Sequence, residues 1–327
     1  MMKNSMYCLV KPFLLIALSF LVTTACYSPV IQKYNIPITS SPGCRIVQHR
    51  LGETCIPVKP KRIIALDPRY LVDPVLALGI QPIGMATSIV RGKESLDGLT
   101  PDDTKSILNV GDAFNPSLEK ILKLKPDLIL AMDFAHKNIY KKLSEIAPTV
   151  LVNYEENTSF KKNLLYLAQL LDKEVEANEL LLQYQTRIKK LRKQLSCKPQ
   201  EIEVTVLIYY QGAFVITKSA HTSHEIFSDI GLTNKINLNS NEVISVEILN
   251  QYDADILFIM DYDGKSKPLF LKHPLIASLN AVKNNRAYFV DAIKWSANGP
   301  LGVNRMLDDI FKYLPQKSYA APQTNSG

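Results

Sequence analysis

Two histidines and a glutamate in the second half of the chain are of the residue types that bind metal ions. His221 and His224 lie three residues apart, and Glu225 follows directly. Imidazole nitrogens and carboxylate oxygens are common ligands of zinc and related ions. A polar junction between a loop and a helix explains the same residues as well, and five scattered His are too few for direct metal capture. We therefore predict no metal site.

Sequence motifs of the common α/β enzymes do not occur in this chain. It contains no Gly-x-Ser-x-Gly nucleophile elbow, no P-loop, no Gly-x-Gly-x-x-Gly and no His-Glu-x-x-His. The composition is that of globular domains, with 46% hydrophobic and 21% charged residues and a formal net charge of +7. Its Lys and Arg residues lack the density that nucleic-acid binding usually needs. We predict a protein that is not an enzyme, needs no cofactor and does not bind nucleic acid.

The N-terminus has the pattern of a secretion signal. Lys3 and Lys11 precede an apolar run at 13–22, which is short for a membrane span. The run leads into Thr-Thr-Ala-Cys, which resembles a bacterial lipobox ending at Cys26. We predict removal of residues 1–25 and lipidation of Cys26; plain cleavage and an uncleaved anchor are the alternatives. The protein is expected at the periplasmic face of the cytoplasmic membrane.

The periplasm is an oxidising compartment, in which cysteines commonly form disulfides. Cys44 and Cys55 lie eleven residues apart in an extended segment, and we predict a disulfide between them. Cys197 remains as a free thiol without a predicted role. None of these spacings is a zinc pattern.

Short apolar runs alternate with helical patterns along most of the chain, which is typical of parallel sheets covered by helices. Residues 128–132, for example, read as a buried strand after a helix that Ser117 caps. The predicted divisions are a signal at 1–25, a lipidated tether at 26–56, an N-terminal α/β lobe at 57–158, a helical segment at 159–198, a C-terminal α/β lobe at 199–315 and a flexible tail at 316–327.

One long helix is predicted between the two α/β regions, at 172–195. Asp172 is placed to cap it, acids crowd its first turns and bases its last, which complements the helix dipole. Apolar residues recur along it at steps of three and four, from Leu181 to Leu195. The helix is interpreted either as an ordinary amphipathic helix or as a rigid link between two lobes.

The two α/β regions also resemble each other. Residues 117–133, SLEKILKLKPDLILAMD, and 245–261, SVEILNQYDADILFIMD, share five of seventeen residues without a gap. Chance similarity of two helix–strand units is one explanation. The equivalent position of each segment within its half favours two equivalent lobes. Since ligands bind beyond the carboxyl ends of parallel strands, two facing lobes would leave a binding cleft between them.

The segment GDAFNPSLEKILKLKPDLIL resembles the signature of class III, helical-backbone, periplasmic substrate-binding proteins. The segments CRIVQHRLGETCIPVKPKRIIAL and GPLGVNRMLDDIFKYL resemble the cyanobacterial branch of the group that binds ferric citrate and ferric hydroxamates. This resemblance covers roughly residues 44–315. It implies two Rossmann-like lobes joined by one helix, in a monomeric, lipid-anchored receptor. Such a receptor binds a ferric siderophore and delivers it to the membrane permease of an ABC importer.

The resemblance also implies an acidic docking residue for the permease on each lobe. In the first lobe the family position falls on Asp73, and a solvated helix face is the alternative. In the second lobe Glu225 is nearest to the corresponding family position, and Asp229 is the alternative.

For the ligand, the resemblance implies Arg donors for siderophore oxygens and aromatic faces for the organic shell. Strand alternation predicts that one of Tyr209 and Tyr210 faces the core, and Arg305 is open to a structural role. Haem and cobalamin remain alternative ligands of the same fold, and a structural lipoprotein is the other class considered. The predicted ligand-binding residues are Arg69, Tyr70, Arg91, Phe114, Tyr209, Tyr210, Trp295 and Arg305.

Overall fold

The computed structural model describes residues 37–195, 199–216, 222–236, 242–265 and 267–314. The predicted signal at 1–25, Cys26, Cys197, His221 and the tail at 316–327 lie outside these residues. Within the described ranges, none of the helices combines the length and the apolar character that a membrane crossing requires.

The chain first forms a small antiparallel sheet of β1 (Ile38–Ser41), β2 (Cys44–His49) and β3 (Gly52–Pro57). A disulfide joins Cys44 to Cys55 across β2 and β3, as predicted. Val47 and Ile56 are fully buried in the core. The prediction of a tether through residue 56 is therefore wrong from Ile38 onward, because this segment pairs as strands and buries apolar side chains.

The N-terminal lobe is built on a seven-stranded sheet whose spatial order is β10-β9-β4-β5-β7-β8, with β6 paired to β5. The five strands from β10 to β7 are parallel. Every residue of β9 and β10 is buried, as expected for parallel strands covered on both faces. The strands are β4 (Ile63–Ala65), β5 (Gly84–Val90), β6 (Lys93–Ser95), β7 (Leu108–Asp112), β8 (Asn115–Pro116), β9 (Leu128–Met132) and β10 (Thr149–Val152).

Short helices connect these strands. Ser117 caps α3 by accepting a hydrogen bond from the backbone of Lys120, as predicted. After β4 the chain forms a π-helical turn, Pro68–Val72, that runs into α1. The helices of this lobe are α1 (Asp73–Ala77), α2 (Pro101–Thr104), α3 (Leu118–Leu124), α4 (Asp133–His136) and α5 (Tyr140–Ile146).

Two consecutive helices, α6 (Phe160–Leu171) and α7 (Glu174–Gln194), connect the lobes. The predicted long helix is confirmed in α7. The predicted cap is wrong, because Asp172 adopts a left-handed conformation that ends α6, and Lys173 precedes α7 without a side-chain cap. The apolar stripe of α7 is buried as expected: Leu181, Tyr184, Ile188, Leu191 and Leu195.

The C-terminal lobe has a six-stranded sheet with the order β14-β12-β11-β15-β16, and β13 pairs with β11. β11, β15 and β16 are parallel. The strands are β11 (Glu203–Tyr210), β12 (Ala213–Ile216), β13 (Thr233–Asn234), β14 (Glu242–Ile244), β15 (Ile256–Asp261) and β16 (Ala287–Val290). The helices are α8 (Thr222–Ile230), α9 (Lys267–Leu271), α10 (Pro274–Ala277), α11 (Asn280–Lys283), α12 (Ala292–Trp295) and α13 (Pro300–Tyr313).

One hydrophobic core runs through both lobes. It contains Ile63 of the first sheet, Leu167 and Ile188 of the connecting helices, and Phe258 of the second sheet. The outer face of each lobe has its own smaller core. A close-packed core shared by both lobes and the connecting helices resists large hinge movements, because apolar contacts would be lost on opening.

Candidate functional site

Four aromatic side chains meet at the carboxyl edge of the first sheet. They follow four parallel strands: Tyr70 after β4, Phe114 after β7, Phe134 after β9 and Tyr154 after β10. Their ring centroids are 5.3 to 6.3 Å apart in edge-on or tilted pairs. Phe114 is 67% exposed and Phe134 48%. We call these four residues the aromatic cluster; its two exposed rings at the strand edge suit a flat organic ligand.

Aspartates at the strand ends hold two members of the aromatic cluster in place. The Asp67 carboxylate accepts hydrogen bonds from the backbone N–H groups of Arg69 and Tyr70, at 3.0 and 2.7 Å. The Asp112 carboxylate likewise accepts from the backbone N–H of Phe114 at 2.8 Å. Burial raises the pKa of Asp67 to about 6, against the opposing charge of Arg69.

Arg69 lies beside the aromatic cluster and is paired with a buried acid. Its Nη2 is 2.7 Å from Asp97 Oδ2, and the two side chains are 32% and 1% exposed. Burial acts to raise the pKa of Asp97, but Arg69 and the hydroxyls of Ser88 and Ser95 together hold it below its usual range. The guanidinium carbon also lies 5.7 Å from the Tyr70 ring centroid. Asp97 therefore fixes Arg69 against the cluster.

Arg91 is presented at the tip of a hairpin. Arg91 and Gly92 both have positive φ, 56° and 71°, in the two-residue turn between β5 and β6. The Arg91 side chain reaches the opposite lobe, since a Cβ on Gly264 would lie 2.7 Å from its Nη1. In the described part of the chain no acid forms an ion pair with it.

Tyr209 and Tyr210 at the end of β11 point to opposite faces, as alternation predicts. Tyr209 is 8% exposed and packs on Phe214 and Phe270, so it is the member of the pair that faces the core. Tyr210 is 42% exposed and lies 6.0 Å from the ring of Tyr262. Burial raises the pKa of Tyr262, although the positive charge of Arg69 from the other lobe opposes that shift.

Two of these residues, Arg91 and Tyr262, line a cleft between the two lobes. A cavity of about 580 Å³ is lined by the β5–β6 hairpin of the first lobe and by Asp261, Tyr262 and Asp291 of the second. Arg91 lines this cavity from the first lobe and Tyr262 from the second. A guanidinium and an aromatic ring can bind a ligand that presents anionic oxygens and flat organic groups. Among the described residues, no group of three or more His, Cys, Asp or Glu is arranged to hold a metal ion.

The structure contradicts the prediction that Trp295 contacts a ligand. Its side chain is 0% exposed, and its ring lies 4.8 Å from that of Phe258. The indole Nε1 donates to Asp309 Oδ2 at 3.0 Å. Trp295 is the last residue of α12. Its side chain lies in the core because a large ring with a hydrogen-bonded N–H is most stable there.

Trp295→Phe should leave ligand affinity unchanged and lower the free energy of unfolding by about 1–2 kcal/mol, through a lost hydrogen bond and a small cavity. Urea denaturation and calorimetric titration would measure the two quantities. A tenfold loss of affinity in a folded variant would contradict the core assignment.

The structure also contradicts a docking role for Asp73. This residue is 0% exposed, and its carboxylate accepts hydrogen bonds from the backbone N–H groups of Leu301 and Gly302, at 2.9 and 2.8 Å. Asp73 thus caps α13 from the first lobe, which a permease cannot reach. A side chain on Gly299 would overlap it, since a Cβ there would lie 2.2 Å from Asp73 Cγ.

Arg305 has the structural role that the sequence left open. Its Nη2 lies 2.8 and 2.7 Å from the two carboxylate oxygens of Asp103, and its Nη1 donates to the carbonyl of Gly98 at 2.8 Å. This bidentate pair ties α13 to the first lobe, and it leaves the guanidinium committed to protein partners.

Glu225 and Asp229 remain partly exposed on α8, at 21% and 29%. Lys161 of α6 lies 3.3 Å from Glu225 and 2.5 Å from Asp229. Tyr184 of α7 also donates to Asp229 at 2.6 Å. The two acids therefore connect the second lobe to the linking helices.

Sequence reasoning missed Phe134, Tyr154 and Tyr262. A usable signal was present, because each of these residues follows the end of a parallel strand. The internal repeat carries a second signal: residues 117–133 and 245–261 end in Met-Asp, and Phe134 and Tyr262 come next in each copy.

Two α/β lobes bridged by one long helix, with a cleft between their strand ends, define a helical-backbone, class III binding protein. The chain belongs to the periplasmic binding protein family, which residues 63–293 match.

Individual relatives agree with this assignment. The chain is 33% identical over 263 residues to the Fe(3+)-citrate-binding protein YfmC of Bacillus subtilis, covering 79% of this chain and 82% of the relative. It is 30% identical over 316 residues to the probable siderophore-binding lipoprotein YfiY of the same organism, covering 91% and 95%. The crystal structure of Staphylococcus aureus SirA complexed with staphyloferrin B superposes with a TM-score of 0.69 at 27% identity, covering 82% and 98% of the two chains.

Proposed function

We propose that this protein is an extracytoplasmic receptor that captures a ferric siderophore in the inter-lobe cleft and delivers it to an ABC importer. The observation that carries the proposal is the aromatic cluster beside Arg69 at the strand ends of the first lobe, together with Arg91 and Tyr262, which line the cavity between the lobes. A ferric siderophore arrives with its metal already chelated, so aromatic faces and guanidinium donors are sufficient to hold it. The names of the relatives, which bind ferric citrate or siderophores, support this ligand class.

The rest of the transport cycle follows from this role. The receptor works as a monomer that releases its ligand unchanged, without enzymatic turnover. Cys26 carries the lipid that holds it at the periplasmic face of the membrane, and the lipoprotein name of one relative supports this anchor. Glu225, a partly exposed acid of α8, receives an arginine of the permease, and Asp229 is the alternative. We also propose that the receptor belongs to the cyanobacterial branch of its group, which residues 44–66 and 299–314 resemble.

Isothermal titration calorimetry of the mature domain tests the proposal. The ligands are ferric citrate, ferric dihydroxamate–citrate siderophores, haem and cobalamin, each with its metal-free form. At least one ferric siderophore should bind with low-micromolar affinity or tighter, and its metal-free form more weakly. Binding of haem or cobalamin alone would overturn the ligand, and chemical conversion of the ligand would point to an enzyme.

A further inference from the structure

The small N-terminal sheet, β1 to β3, is built into the first lobe. Thr54 Oγ1 donates to the carbonyl of Thr149 at 3.1 Å, and Arg45 Nη2 donates to the carbonyl of Leu170 at 2.6 Å. His49 lies against the ring of Tyr140, with centroids 5.4 Å apart. The disulfide, the buried apolar residues and these contacts fix the sheet firmly. It precedes residues 63–293, which carry the family match.

The turn between β2 and β3 carries Arg50 to the aromatic cluster. Arg50 Nη1 lies 2.6 Å from Asp133 Oδ2. The other oxygen of Asp133 accepts hydrogen bonds from the backbone N–H groups of Phe134 and Tyr154, at 2.7 and 3.1 Å. Asp133 is 5% exposed and therefore lies behind Arg50, between the guanidinium and the cluster backbone.

A cavity of about 380 Å³ opens in front of this pair. Its lining includes Arg50, Phe134, Lys137 and Tyr154. The Arg50 side chain is 44% exposed, and in the described part of the chain no acceptor lies within hydrogen-bond distance of its Nε and Nη2. Lys137 is exposed at the same cavity. Two cations thus stand beside the exposed ring of Phe134 and the half-buried ring of Tyr154.

One solvent-exposed acid lies near these two cations. Glu155 lines the same cavity, and its carboxylate lies 4.0 Å from Arg50 Nη1 with the side chain 81% exposed. Such an exposed ion pair is weak and is screened by salt. A ligand carboxylate can therefore replace Glu155 as a partner of Arg50. A guanidinium held at one edge by a buried acid keeps its other donors oriented for a second anion.

Resting on the proposed function, we propose that Arg50 is a specificity-determining residue that binds a carboxylate of the ferric ligand. Glu155 competes with that carboxylate for the same guanidinium. The N-terminal sheet therefore forms part of the binding site, and the ligand class is a ferric chelate with free or metal-bound carboxylates on its periphery.

Calorimetric titration with ferric citrate, or with another ferric complex that the wild type binds, tests this assignment. Arg50→Gln should weaken binding of a carboxylate complex about tenfold, since a charged hydrogen bond is lost. Glu155→Gln should strengthen it about two- to threefold, as expected for removing a weak exposed competitor. Arg192→Gln, an exposed charge at the end of α7, is the matched control and should change affinity less than twofold.

The double variant Arg50→Gln/Glu155→Gln distinguishes a ligand-binding role of Arg50 from a purely structural one. If Glu155 acts on the ligand through Arg50, its gain should vanish in the Arg50→Gln background. A merely structural Arg50 would lower affinity while the Glu155→Gln gain persisted, and that result overturns the inference. Unchanged affinity in Arg50→Gln does so as well. A wild type that binds only uncharged or cationic ferric complexes keeps the proposed function but overturns this inference, whereas a wild type that binds no ferric complex rejects both.

Discussion

Arg69→Ala is expected to abolish detectable ferric-ligand binding and to lower the free energy of unfolding by about 3 kcal/mol. The buried carboxylate of Asp97 would lose its only described cationic partner, 2.7 Å away. Removing one partner of a buried pair typically costs about 3–5 kcal/mol, and the partial exposure of Arg69 places the expected value at the lower end. Urea denaturation and calorimetric titration measure the two effects.

The double variant Arg69→Met/Asp97→Asn is the control that separates stability from binding. Without a charge at position 97, no buried carboxylate is left unpaired, and Asn can still bond to the hydroxyls of Ser88 and Ser95. Asn also tolerates the left-handed backbone at this residue, where φ is 44°. We expect stability to recover by about half or more while binding stays lost. Recovered binding would show that Arg69 does not contact the ligand.

Asp73→Ala is expected to lower the free energy of unfolding by about 4 kcal/mol, because two buried N–H groups of α13 lose their acceptor. The acceptor, Asp73, belongs to α1 of the first lobe. Its hydrogen bonds from Leu301 and Gly302 connect that lobe to α13. Urea denaturation at pH 6 measures the loss. A change below about 1 kcal/mol would mean that water or a neighbouring group replaces the carboxylate.

Asp73 also makes stability depend on pH. Burial raises its pKa from 3.8 to about 7, whereas the unfolded chain titrates near the ordinary value. Between these values the folded protein holds a proton that the unfolded chain has released. The contribution of Asp73 is therefore fully present below about pH 4 and is lost as the pH rises through 7.

Asp73→Asn, which cannot titrate, is the reference for that pH profile. From pH 4 to pH 8 the wild-type free energy of unfolding should fall relative to this variant, by on the order of 4 kcal/mol. Denaturation curves at four pH values across the range give the difference. Parallel profiles for the two proteins would place the pKa of Asp73 at its ordinary value.

Local patterns in the sequence were sufficient for the fold class. The alternation of apolar runs with helical periods predicted both α/β lobes, and the uninterrupted stripe from Leu181 to Leu195 predicted α7. The spacing of Cys44 and Cys55 in an exported chain predicted their disulfide. These features depend on residues near one another along the chain, so periodicity and spacing express them directly.

The assignment of charged and aromatic side chains to surface, cleft or core depended on tertiary structure. Trp295 fills the core and Asp73 caps a helix more than two hundred residues later, because packing brings α12 onto β15 and α13 onto α1. Arg50 reaches the aromatic cluster only because the N-terminal sheet folds against β10. Residue type and spacing predicted the elements and the edge where the site lies. Which side chains face the cleft and which are buried was decided by contacts between distant segments, whose partners no local pattern specifies.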